Sequence, residues 1–202
     1  MSAVDLADFS SVVTFTDRAE RELERLDILV DNAGVTTWEY EQVASWERTL
    51  HVKSLAPALL AIRMIPKVLE TARKHSETGV SSTVAIIVNS INPEFYPSGL
   101  RTSIPTDEAE AMRKEEEELC FATEERSRKL VYGAIGSLDD EKLRGKYIQM
   151  SEVVEESDFM ISEDGKIVQD NVWDLNMRNI LLLDSVLFGT IFASPAYCDE
   201  SC

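Results

Sequence analysis

The sequence has no run of apolar residues long and clean enough to cross a membrane. Its opening, Met1-Ser-Ala-Val-Asp5, lacks the basic and apolar regions of a secretory signal. Cysteine is sparse. Cys120, Cys198 and Cys202 are an odd count without metal-ligand spacing, which argues against a disulfide framework and a metal site. Free thiols in a reducing, cytoplasmic setting are the expectation. There are two histidines, His51 and His75. Neither has a partner at metal or triad spacing, so both are expected on the surface. Basic charge is short: 20 Lys and Arg face 37 Asp and Glu, a net charge of −17. No basic patch with interleaved aromatics occurs. Nucleic acid and anionic membranes are therefore poor partners, and the plain consequence of the acidity is solubility. No internal repeat and no low-complexity linker is present.

What remains is 202 residues, 44% of them apolar, enough to build the core of one domain. Residues 5–25 carry Leu6, Phe9, Val12, Val13, Phe15 and Ala19 at roughly helical spacing, with Asp8 or Ser10 as the cap. Leu26-Asp-Ile-Leu-Val-Asp31 is a short apolar run that stops in Asn32-Ala-Gly34; it predicts a buried parallel strand and the turn at its C-terminal end. Residues 38–44 are expected as a loop. Residues 45–75 are helical in pattern, with a kink or break expected at Pro57 or Pro66. Thr83-Val-Ala-Ile-Ile-Val-Asn89 predicts a second strand, covered on both faces. Residues 106–128 predict a charged helical stretch, whose Glu115 to Glu118 read as a solvated face or, by their place in the chain, a lid, and residues 129–136 continue it as a more apolar helix. Tyr147-Ile-Gln-Met150 predicts a third strand. Residues 166–183 predict a last helix that buries Ile167, Val168, Val172, Trp173, Leu175 and Ile180. Val186 to Phe192 is strand-like. Strands alternating with helices imply an α/β fold with parallel pairing, and so few strands leave a sheet edge or an apolar face uncovered.

The Asp-Asn-Ala-Gly turn resembles the central Asn-Asn-Ala-Gly strand of the short-chain dehydrogenase/reductase family, with Asp31 in place of the first Asn. The resemblance covers most of residues 4–178 and is closest to the branch common in filamentous fungi. Val4 to Val12 is similar to the end of that family's third strand and the start of the next helix. Trp46-Glu-Arg-Thr-Leu-His-Val-Lys-Ser-Leu55 is similar to the start of its long helix. Asn89-Ser-Ile-Asn-Pro-Glu-Phe-Tyr-Pro-Ser98 resembles the loop over the nicotinamide. Gly145 to Ile148 and Ser157 to Asp174 resemble the final strand and the C-terminal helix. The resemblance implies NADP or NAD as cofactor, with four cofactor-binding positions. Asp5 matches the acid near the adenine ring, and Asn32 the Asn against the adenosine ribose. Lys53 stands where the family has the Asn that supports a proton-relay water. Ser98 falls on the hydroxyl position of the nicotinamide loop.

Two hallmarks of the resemblance are missing. No Gly-x-x-x-Gly-x-Gly occurs, so the helix N-terminus that cradles the diphosphate has no counterpart. The catalytic Tyr-x-x-x-Lys puts phenol and ammonium on one helix face, where the ammonium lowers the phenol's pKa. Here Tyr40, Tyr96, Tyr132, Tyr147 and Tyr197 are followed four residues on by Ala44, Leu100, Gly136, Ser151 and Ser201. The family's fifth strand and its Ser and Tyr helix would fall between residues 75 and 83. The expectation is a partial Rossmann-like α/β domain over 1–180, a divergent tail over 181–202, and no catalytic residue. Two functions follow. One is a degenerate nicotinamide-dependent carbonyl or alcohol oxidoreductase of fungal secondary metabolism. The other is a non-catalytic protein that binds a small molecule, a second copy or an intact relative through the uncovered face, for instance that of Leu59, Ile62, Ile65 and Leu69. A third reading is an incomplete reading frame.

Overall fold

The computed structural model describes residues 3–74, 86–92, 110, 123–136 and 141–183. They fall into two compact units, one from Met1–Ala33, Glu41–Val84 and Ser162–Cys202, the other from Gly34–Tyr40 and Ala85–Ile161. Together they carry a partial Rossmann-like α/β arrangement, a small sheet with one parallel pair and flanking helices.

The first unit is helical. Helix α1 (Phe9–Glu22) starts where the Asp8 carboxylate accepts the Ser10 N–H at 2.8 Å and so satisfies an orphan donor of the first turn. Its buried positions, Val12, Thr16 and Ala19, recur at helical spacing. They face the long helix α3 (Ala56–Lys74), whose Leu59, Leu60 and Met64 are buried. The Arg63 guanidinium reaches back to α1. Its Nε donates to Thr16 Oγ1 at 2.6 Å and its Nη2 pairs with Asp17. A short hairpin, β1 (Gln42–Val43) and β2 (Trp46–Glu47), lies ahead of α3. The Glu47 carboxylate caps the turn α2 (Arg48–Leu50) by accepting from Thr49 N and Leu50 N, each at 2.8 Å.

Between α2 and α3 the backbone widens into a π-turn, His51–Leu55. Pro57 has no N–H, and its ring clashes with the carbonyl of the residue four before it in a regular helix. The wider turn absorbs that conflict, with Ala56 N–H bonding to His51 C=O. This is the form taken by the interruption expected at Pro57. At Pro66 the helix continues without a break.

In the second unit, β3 (Ser90–Asn92) pairs parallel with β4 (Tyr147–Gln149), which pairs antiparallel with β5 (Glu152–Val153). Met150 and Ser151, both at positive φ, make the two-residue turn between β4 and β5. Helix α4 (Thr123–Ile135) packs on β3 at Gly133, where an added Cβ would lie 2.1 Å from Ile91 Cδ1. A one-turn helix, α5 (Asp158–Ile161), ends this unit.

Helix α6 (Glu163–Leu183) returns to the first unit and packs against α3 and the π-turn. Ile180 is buried and Leu175 half-buried, but Ile167, Val168, Val172 and Trp173, expected inside, are exposed. The contact is made by the C-terminal part of α6, and the N-terminal turns have no described neighbour to cover them.

The third expected strand, at 147–150, is β4, and two others are corrected. Residues 26–31 join no ladder among the described residues, and Ile28, Leu29 and Val30 are exposed. Of the run 83–89, residues 83–85 lie outside the described residues, and residues 86–89 join no ladder, with Val88 74% exposed. Pairing begins at Ser90, because Lys146 C=O, the first acceptor offered by the β4 side, bonds Ser90 N. A strand forms only where a second one runs beside it. His51 is also corrected, since it is fully buried. His75, Glu115 to Glu118 and the run Val186 to Phe192 lie outside the described residues, as does the tail from 184 onward.

Candidate functional site

The Asp-Asn-Ala-Gly turn is the natural centre of a site. Arg25 and Asp27 open its segment with a bidentate ion pair at 2.8 and 2.6 Å, both partners half exposed. Leu26 N donates to Thr71 Oγ1 on α3 at 2.8 Å. From there the chain runs through Asp31 and Asn32, both exposed at residue level. The Asp31 carboxyl is nonetheless partly desolvated, which raises its pKa above the ordinary carboxylate value.

Asp5 is occupied by its own turn. Its Oδ1 accepts Ala7 N at 2.9 Å, and its N–H donates to Ser11 Oγ at 3.0 Å. Lys53 is the exposed member of the π-turn, while His51, Val52 and Leu55 are buried. The larger groove described in this unit, about 330 Å³, is lined by Ala3 and by α1 from Asp8 to Arg18; it contains neither Asn32 nor Lys53. Ser98 lies outside the described residues.

The segment that resembles the nicotinamide loop has structural work in the second unit. Asn89 Nδ2 donates to Gly133 C=O at 3.0 Å, and its Oδ1 accepts Lys146 N at 3.2 Å. Asn92 Nδ2 donates to Tyr147 Oη at 3.0 Å. The two asparagines thus tie α4 and β4 to β3. Lys129, buried on α4, reaches Met150 Sδ at 3.3 Å. No sequence motif announced these residues as a group. The clue available was Asn at both ends of a short strand, where side-chain amides commonly bond backbone groups. Among the described residues no group of His, Cys, Asp or Glu could hold a metal ion, and no helix is long and apolar enough to cross a membrane.

Residues 1–92 match the family described as short chain dehydrogenase. The chain is 40% identical over 67 residues to the short chain dehydrogenase atnD of Emericella nidulans, covering 33% of this chain and 21% of that protein. It is 31% identical over 86 residues to the short chain dehydrogenase/reductase mfmJ of Annulohypoxylon moriforme, 42% of this chain and 24% of the relative. The chain thus spans less than a quarter of the length of these two curated relatives. A longer match, 23% identical over 232 residues, joins 85% of this chain to 70% of the short chain dehydrogenase/reductase dmxR8 of Cryptosporiopsis sp.. That aligned span exceeds the 202 residues of the whole chain, so the relative carries residues without a counterpart here. No solved structure matches. The family match of the first 92 residues, the Asp-Asn-Ala-Gly turn within it and the fungal relatives together support a member of the short-chain dehydrogenase/reductase family.

Proposed function

We propose that this chain derives from an NADP- or NAD-dependent oxidoreductase of carbonyl and alcohol substrates in fungal secondary metabolism, and that it does not itself turn over. The observation that carries the reading is the tyrosine spacing. None of the five tyrosines has a lysine four residues on, and without that pair no phenol is tuned to move a proton to or from the substrate oxygen. The absence of a Gly-x-x-x-Gly-x-Gly loop from the sequence supports it, because that loop cradles the cofactor's diphosphate.

Loss of general acid–base catalysis costs about two to four powers of ten in rate, and loss of cofactor positioning adds to that. The purified chain is expected to show no NADPH- or NADH-dependent turnover on carbonyl and alcohol panels. Its affinity for either cofactor should be weaker than about millimolar, or about −4 kcal/mol. Robust turnover, or micromolar affinity lost in Asn32→Ala, would overturn the proposal.

A second reading, a non-catalytic binding protein, is favoured by the exposed apolar side chains. In the first unit these include Ile28, Leu29, Val30 and, on α6, Ile167, Val168 and Trp173. Leu59 is fully buried and Ile62, Ile65 and Leu69 are half-buried, so the expected α3 face is largely covered within the chain. On this reading a second copy or an intact relative covers residues 28–30 or the start of α6. Light scattering at micromolar concentration tests it. Self-association weakened by Trp173→Glu is expected, and a monodisperse monomer at all concentrations argues against a second copy.

A further inference from the structure

His51 sits where an apolar residue would be easier to accommodate. It is completely buried in the π-turn, and neither Nδ1 nor Nε2 has a hydrogen-bond partner among the described residues. Its ring stacks on Phe9 in the first turn of α1, with centroids 4.1 Å apart and the planes at 28°. A phenylalanine or leucine would fill the same slot without leaving a buried donor and acceptor unsatisfied. What an imidazole adds there is the ability to take a proton near neutral pH. We propose that His51 is a pH-sensitive latch: neutral, it holds the N-terminal end of α1 against the π-turn; protonated, it releases that end.

The charges around it set the direction. Burial, the largest influence, pushes the imidazole's pKa below its ordinary value, and Asp8 and then Asp5 pull the other way. Both acids stand at the start of α1. Three other helices pack on the π-turn, α2 with Arg48, α3 and α6, and among the described residues the charges that act on the imidazole are those of Asp8 and Asp5. Imidazolium cannot stay in a closed slot with no acceptor. It gains water or a carboxylate by opening the Phe9 stack, and the carboxylate first in reach, Asp8, is the one that caps α1 through Ser10 N. Opening therefore weakens the cap as well as the stack.

The sign follows from proton counting. In the open form the imidazole returns toward its ordinary pKa of about 6.5 and binds more protons than in the closed form, so the closed form loses ground as pH falls below that value. The loss continues until the closed form itself protonates. Each unit between the two pKa values multiplies the open population about tenfold.

Hydrogen exchange of the α1 amides in the full chain, at about pH 7.5 and about pH 5.5 and corrected for intrinsic exchange, reads this directly. The opening constant of the first α1 turns is expected to rise severalfold or more in the wild type and to stay flat in His51→Phe, which keeps the stack and cannot titrate. If His51→Phe does not fold, His75→Gln leaves His51 as the single histidine, and the rise should persist there. No rise in the wild type, an equal rise in His51→Phe, or a rise abolished by His75→Gln would each overturn the proposal.

Discussion

Helix α1 and the segment of residues 26–31 are neighbours in sequence and comparably apolar, yet they fare differently. In α1 every fourth or third residue turns inward, and Val12, Thr16 and Ala19 are buried against α3. In the segment that follows, Ile28, Leu29 and Val30 are 44%, 39% and 54% exposed. The difference is one of backbone partners. A helix satisfies its own N–H and C=O groups within the segment, so it needs only a face to lie against. A strand borrows its partners from neighbours and is covered on both faces only when it lies inside a sheet. β3 makes the same point with the opposite outcome. It finds β4 beside it, and Ile148 of that pair is 1% exposed. Among the described residues the helices thus form on their own terms, and a strand forms only where a second one runs beside it.

The sharpest way to break this contrast is to remove buried volume on each side of it. Leu59→Ala on α3 deletes a fully buried side chain and should cost about 2–5 kcal/mol in urea unfolding. Val30→Ala, in the segment of residues 26–31, should stay within about 0.5 kcal/mol of wild type. If the two cost the same, residues 26–31 are packed against something, and the contrast fails.

The sequence made the helices legible to within a few residues, because period, cap and charge all agree there. Asp8 was one of two named caps and is the cap. The parallel β3–β4 pair was also expected from alternating elements. The β4–β5 turn was not, because Met150-Ser151 lacks the Asn-Gly or Asp-Gly signature of a turn with two positive φ angles. The strand at 26–31 reads as buried because its residues suit a buried strand. Burial depends on partners, and partners are not written in the segment itself. The same holds for the first turns of α6, whose Ile167, Val168 and Trp173 have an apolar pattern and no described neighbour. Asp5, Asn32 and Lys53 could be named one at a time from the resemblance. Whether they meet depends on the backbone between them, which the resemblance does not specify.

A smaller effect sharpens the contrast at its boundary. The segment is held to the helices at its first residue, where Leu26 N donates to Thr71 Oγ1 at 2.8 Å; the same hydroxyl donates to Lys67 C=O at 2.9 Å. Thr71→Val keeps the shape of this buried side chain and removes both bonds. The Lys67 carbonyl retains its helical environment, so the chief loss is the acceptor for Leu26 N, worth about 1 kcal/mol. Global unfolding should shift by that amount. Exchange protection should fall at Leu26 and change little at α1 amides such as Thr16. If protection falls equally in both, the segment and the helix open as one cooperative unit, and the end of α1 at Glu22 is not where the molecule divides.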